Sequence, residues 1–201
     1  AWAIQRLGLN IELRVLIAAA ENSVSSHAFR PGDVINSRKG LKVEIADTDA
    51  EGRLVVADAL TYACEDTPEL LVDFTTLTGA ARVALGYKIG ALFGNNEDLT
   101  STIQHLSFQN EDPLWTLPLW EGYEDEMNST TADLENIGSG RAGAIHGGLF
   151  LQRFINKDKP DWLHLDLYAW ENDGKSICDE GGMDQGLRTI FAFLTQRYGQ
   201  S

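Results

Sequence analysis

The stretch IADTDAEGRLVVADAL, residues 45–60, decides how this chain is read. Asp47, Asp49 and Glu51 stand at alternate positions, and Gly52 and Arg53 follow. Before them LKVEIA (41–46) alternates as a short strand. After them GRLVVADALTYACED (52–66) repeats Leu54, Ala57, Leu60 and Cys64 at roughly helical spacing. The acidic cluster therefore sits where a strand hands over to a helix. Upstream, AWAIQRLGLN (1–10) reads as a helix, and IELRVLIAAAEN (11–22) as a β-type run ended by the turn-rich SVSSHAFRPGD (23–33). Downstream, ELLVDFTTL (69–77) is a buried strand, TGAARVALG (78–86) a small-residue turn and IGALFGN (89–95) a strand. Residues 97–109 form a helix and PLWTLPLW (113–120) an extended segment. AGAIHGGLFLQRFINK (142–157) is a helix, DWLHLDLYAW (161–170) a strand, ENDGKSICDEGGMDQG (171–186) a loop and LRTIFAFLTQRYG (187–199) a closing helix. Strands alternating with helices predict an α/β three-layer sandwich, its central sheet mixed and mostly parallel and flanked by helices. Sites in such sheets gather at the carboxyl ends of strands, where Asp49 and Glu51 fall.

The chain's 201 residues suit a single domain with a substantial core. With 43% hydrophobic and 23% charged residues, and no apolar stretch near the ~18 residues of a membrane span, it has a globular composition that excludes a membrane partner. A formal charge of −14 excludes nucleic acid, which requires clustered Lys and Arg. Cys64 and Cys178 lie far apart with no CxxC pair, which suits a reducing, cytoplasmic compartment. The first ten residues carry neither an initiator Met nor a signal pattern, and the expectation is a chain that starts inside a larger protein.

The acidic cluster admits three readings. Counted from Asp47, carboxylates at positions 1, 3 and 5, Gly52 at 6 and Asp58 at 12 approach a calcium loop, although a strand precedes it and no second loop pairs with it. A dinuclear hydrolytic site needs carboxylates that hold and bridge two ions, and Asp49 and Glu51 share a side if the segment is extended, with Arg53 in reach to hold an oxyanion. A solvated loop favoured by the helix N-terminus is the third reading. Spacing alone leaves all three open. Elsewhere, His27, His105, His146 and His164 show no metal-ligand spacing, Asp166 reads as a satisfied strand-end carboxylate, and Trp115, Trp120, Trp162 and Trp170 as core or subunit-contact residues. GSGRAGA (138–144) lacks the ending of a phosphate loop, and Cys64 falls on a buried helix face.

DTDAEGRLVVADAL resembles the signature of the leucyl aminopeptidase (cytosol aminopeptidase) family, usually N-T-D-A-E-G-R-L. The likeness continues in family order through FRPGDVINSRKGLKVEI (29–45), LLVDFTTLTGAARVALG (70–86), WTLPLW (115–120), ADLENIG (132–138), AGAIHGGLFLQRF (142–154) and WLHLDLYAW (162–170). It implies a zinc- or manganese-dependent exopeptidase that removes N-terminal residues, commonly Leu, from peptides, and a hexamer in the intact protein. Carried over by position, Asp49 would ligate one metal, Glu51 would bridge both, and Arg53 would bind a bicarbonate acting as general base. Thr76, Leu77, Thr78 and Gly79 would line the substrate site, with backbone groups of Leu77 and Gly79 holding the peptide.

The chain departs from the family pattern in four ways. The family's further ligands, a Lys and two Asp, and a second Lys belong upstream of residue 1, as does an N-terminal domain, so residues 1–201 are expected to be a truncated catalytic domain with an incomplete ligand set. Asp47 stands for the usual Asn. Tyr168 replaces a small residue beside the pocket for the substrate's first side chain. CDEGGMDQGLR (178–188) replaces the common G-A-T-G-x-G-V-R. The competing expectation is a degenerate, non-catalytic member or a calcium-binding module using the Asp47–Asp58 loop.

Overall fold

A computed structural model describes residues 1–21, 23–156, 160–172 and 180–199. Helix α1 (Trp2–Leu7) opens the chain, followed by strands β1 (Val34–Asn36) and β2 (Lys42–Glu44) and helix α2 (Gly52–Cys64). Next come β3 (Leu70–Thr75), α3 (Gly79–Leu85), β4 (Gly90–Gly94), α4 (Glu97–Gln109) and β5 (Leu114–Thr116). A 3-10 turn (Glu121–Met127) leads to β6 (Leu134–Glu135), α5 (Gly143–Gln152), β7 (Asp161–Asp166), β8 (Trp170–Glu171), β9 (Gly181–Gly182) and α6 (Leu187–Tyr198).

The main sheet has the order β3-β7-β4-β5. Its β3–β7 and β4–β5 pairings are parallel and its β4–β7 pairing is antiparallel, which makes it the mixed, mostly parallel sheet expected. A second sheet, β1-β2-β6, carries the strand that ends in the acidic loop. Period-two alternation along β7 builds both faces of the main sheet. Trp162 joins a core with α2 and α5 through Ala57, Leu60, Leu149 and Phe150. Leu163 and Leu165 join a second core with α4 and α6 through Ile103, Leu106, Ile190 and Phe193. Helix, sheet and helix thus form the three layers.

Local chemistry explains most of these elements and corrects several expectations. Helix α4 starts where Asn96 accepts a hydrogen bond from the Leu99 N–H (3.1 Å), with Glu97 and Asp98 in its first turn. TGAARVALG is not a turn. Thr78 caps it by accepting from the Ala81 N–H (3.2 Å), and Ala, Arg and Leu carry the helix to Gly86. The run 11–22 forms no strand among the described residues: Leu13, Val15, Leu16 and Ile17 are exposed, and without a paired neighbour an apolar run has no ladder to join. Strand β3 lies at the sheet's edge and is half-buried rather than buried, with Phe74 exposed. Helix α5 ends at Gln152, five residues short of its expected end. Of the tryptophans, only Trp162 is core, while Trp115, Trp120 and Trp170 are each about half exposed. Cys64 is buried in the α2 core as expected. Asn22, Cys178 and much of the 171–186 loop lie outside the described residues.

Candidate active site

Two loops, each running from the end of a strand into a helix, border one cleft of about 770 Å³. On one side stand Asp49, Glu51 and Arg53, on the other Thr76, Leu77 and Gly79, with residues 16–21 contributing Leu16, Ile17 and Glu21 to the lining. That volume suits the end of a peptide or a small molecule.

The acidic loop is a turn and not the extended segment that its alternation suggests. Asp47 Oδ1 accepts from the Asp49 N–H (2.9 Å), and the Ala50 N–H reaches the Asp47 carbonyl (3.4 Å). Fully buried Asn136, just beyond β6, holds this turn from within. Its side-chain oxygen accepts from the N–H groups of Ala46 (2.9 Å) and Asp47 (3.1 Å), and its amide nitrogen donates to the carbonyls of Asp47 (2.6 Å) and Ala50 (3.4 Å). With the backbone satisfied internally, Asp49 is left exposed at the rim, and Glu51 begins α2 as its N-cap residue. Helix α2 starts at what would be the sixth position of a calcium loop, and Asp58 lies inside that helix, accepting from the Arg38 N–H (2.8 Å). The twelve-residue loop of a calcium module is therefore not formed.

Arg53 lies in the first turn of α2 and is 7% exposed. Its Nη1 donates to the Asn136 carbonyl (2.7 Å), Nε has no partner, and the guanidinium lies 5.7 Å from the centre of the Phe150 ring. Burial lowers its pKa from the ordinary value, and the charges of Asp166 and Asp47 oppose that shift. A buried cation with an unused N–H beside a cleft is equipped to hold an anion or a developing negative charge.

The opposite loop is held by Asp166, the last residue of β7 and 1% exposed. Its Oδ1 accepts from the N–H groups of Leu77 (2.9 Å) and Thr78 (3.1 Å), and Oδ2 from the Thr78 hydroxyl (2.5 Å). Burial raises its pKa, while the Thr78 hydroxyl, His164 and the two backbone donors pull it back. Behind it, Asp73 of β3 takes His164 Nδ1 (2.5 Å) and Trp162 Nε1 (2.8 Å). Burial pushes the His164 pKa down, the Asp73 carboxylate and then Asp166 pull it up, and the net shift is upward.

The cleft thus gathers six of the residues singled out in the sequence: Asp49, Glu51, Arg53, Thr76, Leu77 and Gly79. The Thr78 hydroxyl is turned away toward Asp166. Tyr168 stands outside the lining, packed against Tyr87 with ring centres 4.6 Å apart and planes tilted by 39°, its hydroxyl on Asn172 (2.9 Å). The histidines lie elsewhere: His146 is buried 3.1 Å from Glu126, His164 is within the sheet, and His27 and His105 are exposed. As hard oxygen donors, Asp49 and Glu51 suit a divalent ion. The described residues nonetheless bring together no group of three His, Cys, Asp or Glu side chains that could hold one. The two carboxylates fit as part of a donor set and not as a whole one.

Sequence reading did not single out Asn136, which holds the acidic loop. Its view of Asp166 as a satisfied strand-end carboxylate agrees with the three hydrogen bonds that Asp166 accepts, though it held no hint of which loop they hold. Each is a lone polar residue with partners some 85–90 positions away, and its only signal was its place inside a quoted motif.

Residues 1–191 match the family described as "Cytosol aminopeptidase family, catalytic domain". The chain is 42% identical over 192 residues to the probable cytosol aminopeptidase of Syntrophotalea carbinolica, covering 94% of this chain and 38% of that protein. It is 47% identical over 163 residues to the cytosol aminopeptidase of Buchnera aphidicola, covering 80% and 32%. The crystal structure of cytosol aminopeptidase from Coxiella burnetii superposes with a TM-score of 0.84 at 44% identity, over 89% of this chain and 39% of that one. A variant of tomato leucine aminopeptidase gives 0.82 at 39% identity, over 89% and 34%. The chain therefore spans a third to two fifths of the length of these relatives.

Proposed function

We propose, from the premise that the chain belongs to the cytosol aminopeptidase family, that it serves a metal-dependent aminopeptidase removing N-terminal residues, leucine-like among them, from peptides. The observation that carries this reading is the convergence of Asp49, Glu51 and Arg53 with the 76–79 loop on one cleft. Asp49 and Glu51 would hold the divalent ions, zinc or manganese, with the remaining ligands supplied from outside the described residues. Such ions, when bound, polarise a carbonyl and lower the pKa of water. Arg53 holds a bicarbonate, its buried guanidinium favouring a planar anion with two oxygens to engage. Backbone groups of Leu77 and Gly79 hold the peptide, while Tyr168, which the family likeness puts beside the pocket for the first side chain, lies outside the lining of this cleft. A cytoplasmic homohexamer is the setting that the family implies.

The test is hydrolysis of leucine p-nitroanilide, with Mn2+ or Zn2+ added, by this chain and by the complete product of its gene. Activity in the complete product alone supports a site that this chain shares with other residues. Inactivity of both, against a panel of aminoacyl anilides, overturns the catalytic reading in favour of a non-catalytic family member. Activity in the short chain alone overturns the shared ligand set.

A further inference from the structure

A trans peptide group is planar, with its N–H and C=O pointing in opposite directions. The Leu77 N–H points at Asp166, so the Thr76 carbonyl in the same peptide group points away from it. The Thr78 N–H points there too, so the Leu77 carbonyl does the same. Neither carbonyl accepts a backbone hydrogen bond among the described residues, and both residues line the cleft while Asp166 does not. Two adjacent acceptors are thereby turned away from Asp166, without a backbone donor among the described residues, in a loop whose Thr76 and Leu77 line the cleft. An acceptor-only carboxylate is the side chain for this task, because it takes both N–H groups and the Thr78 hydroxyl without offering a donor that would draw a carbonyl back.

We propose that Asp166 is a positioning residue that aims the Thr76 and Leu77 carbonyls at the N–H groups of a bound peptide. The proposal rests on the aminopeptidase reading and deepens it: the loop recognises an amide hydrogen, which a peptide or anilide carries and an ester lacks. Asp166 touches no substrate. It acts through the loop, and its loss falls on amide substrates first.

The experiment compares the parent, Asp166→Ala and Asp166→Asn in the complete gene product, with leucine p-nitroanilide and leucine methyl ester as substrates. Asp166→Ala raises KM for the anilide by about tenfold, the loss of one or two hydrogen bonds, with a smaller change in kcat and little change for the ester. Asp166→Asn, whose oxygen still accepts from both N–H groups, recovers a large part of that loss. Should Asp166→Ala not fold, Asp166→Ser carries the same comparison, its single short hydroxyl being unable to reach both N–H groups. Equal losses on anilide and ester, a loss confined to kcat, or no recovery in Asp166→Asn each overturn the proposal while leaving the aminopeptidase reading intact. A parent that releases no N-terminal residue from any substrate overturns that reading, and the proposal with it.

Discussion

The two loops that face each other across the cleft solve one problem with different side chains. Each leaves a strand, turns, and enters a helix, and each is held by a single buried residue from a distant part of the chain. At the acidic loop the holder is Asn136, which both accepts and donates, so N–H groups and carbonyls of residues 46–50 are satisfied together. At the 76–79 loop it is Asp166, which only accepts, so the N–H groups of Leu77 and Thr78 are satisfied while the Thr76 and Leu77 carbonyls have no backbone donor among the described residues. The first loop brings carboxylate side chains to the cleft, and the second, on the proposal above, its backbone. An amide suits a loop whose side chains do the work, and a carboxylate suits one whose main chain does.

This contrast breaks if the holders are interchangeable. Asn136→Ala strands several part-buried backbone groups, and the cavity left by a fully buried side chain adds to the loss, so the variant is expected to cost about 3 kcal/mol in a denaturant melt. It should also weaken divalent binding by roughly 10–100-fold, as loss of outer-shell support does, measured by metal titration of the complete gene product. Asn136→Asp keeps the acceptor but cannot donate to Asp47 and Ala50, so it should resemble Asn136→Ala rather than the parent. Gly147→Val sharpens the contrast from the other side. A Cβ at Gly147 meets Leu77 Cδ2 and Thr78 Cγ2, each at 3.1 Å, so the variant should lose about 2 kcal/mol by overpacking and disturb the 76–79 loop while metal binding changes little.

The third prediction concerns pH. His164 has its folded pKa raised above the ordinary 6.5 by Asp73, so its stabilising contribution is complete below about 6.5 and is lost as pH rises through the folded value. Unfolding free energy should fall there by up to about 1.4 kcal/mol per pH unit, and His164→Gln should flatten the slope. The smallest effect is that of Thr78→Ser, about 1 kcal/mol, since it keeps the cap of α3 and the hydroxyl donated to Asp166 and loses one methyl group. A calorimetric series read against the parent checks its size.

What the sequence made legible follows from locality. The strand-to-helix change at residues 45–60 and the bounds of α4 rest on periodicity and on a cap at Asn96, all within a few residues. The run 11–22 misled because β-type composition becomes a strand only beside a partner, and none of the described residues pairs with it. TGAARVALG misled because small residues suit turns and tight helices alike, and Thr78 decides between them. Asp49, Glu51 and Arg53 were found through their residue types. Asn136 was not, and Asp166 was read as a satisfied strand-end carboxylate without its partners, because those partners are ones that only the folded chain brings near.

Helix α5 presents Gly143 and Gly147 one turn apart, where a Cβ would lie 3.1 Å from Ala80 and from Leu77 and Thr78. With the helix backbone set against it and Asp166 beneath, the 76–79 loop has little freedom left to lose. Its conformational entropy is surrendered when the chain folds and not when a ligand arrives. Association at this cleft should therefore carry a small ordering term, and selectivity should come from rejecting what does not match a fixed outline rather than from a surface that reshapes itself around each guest.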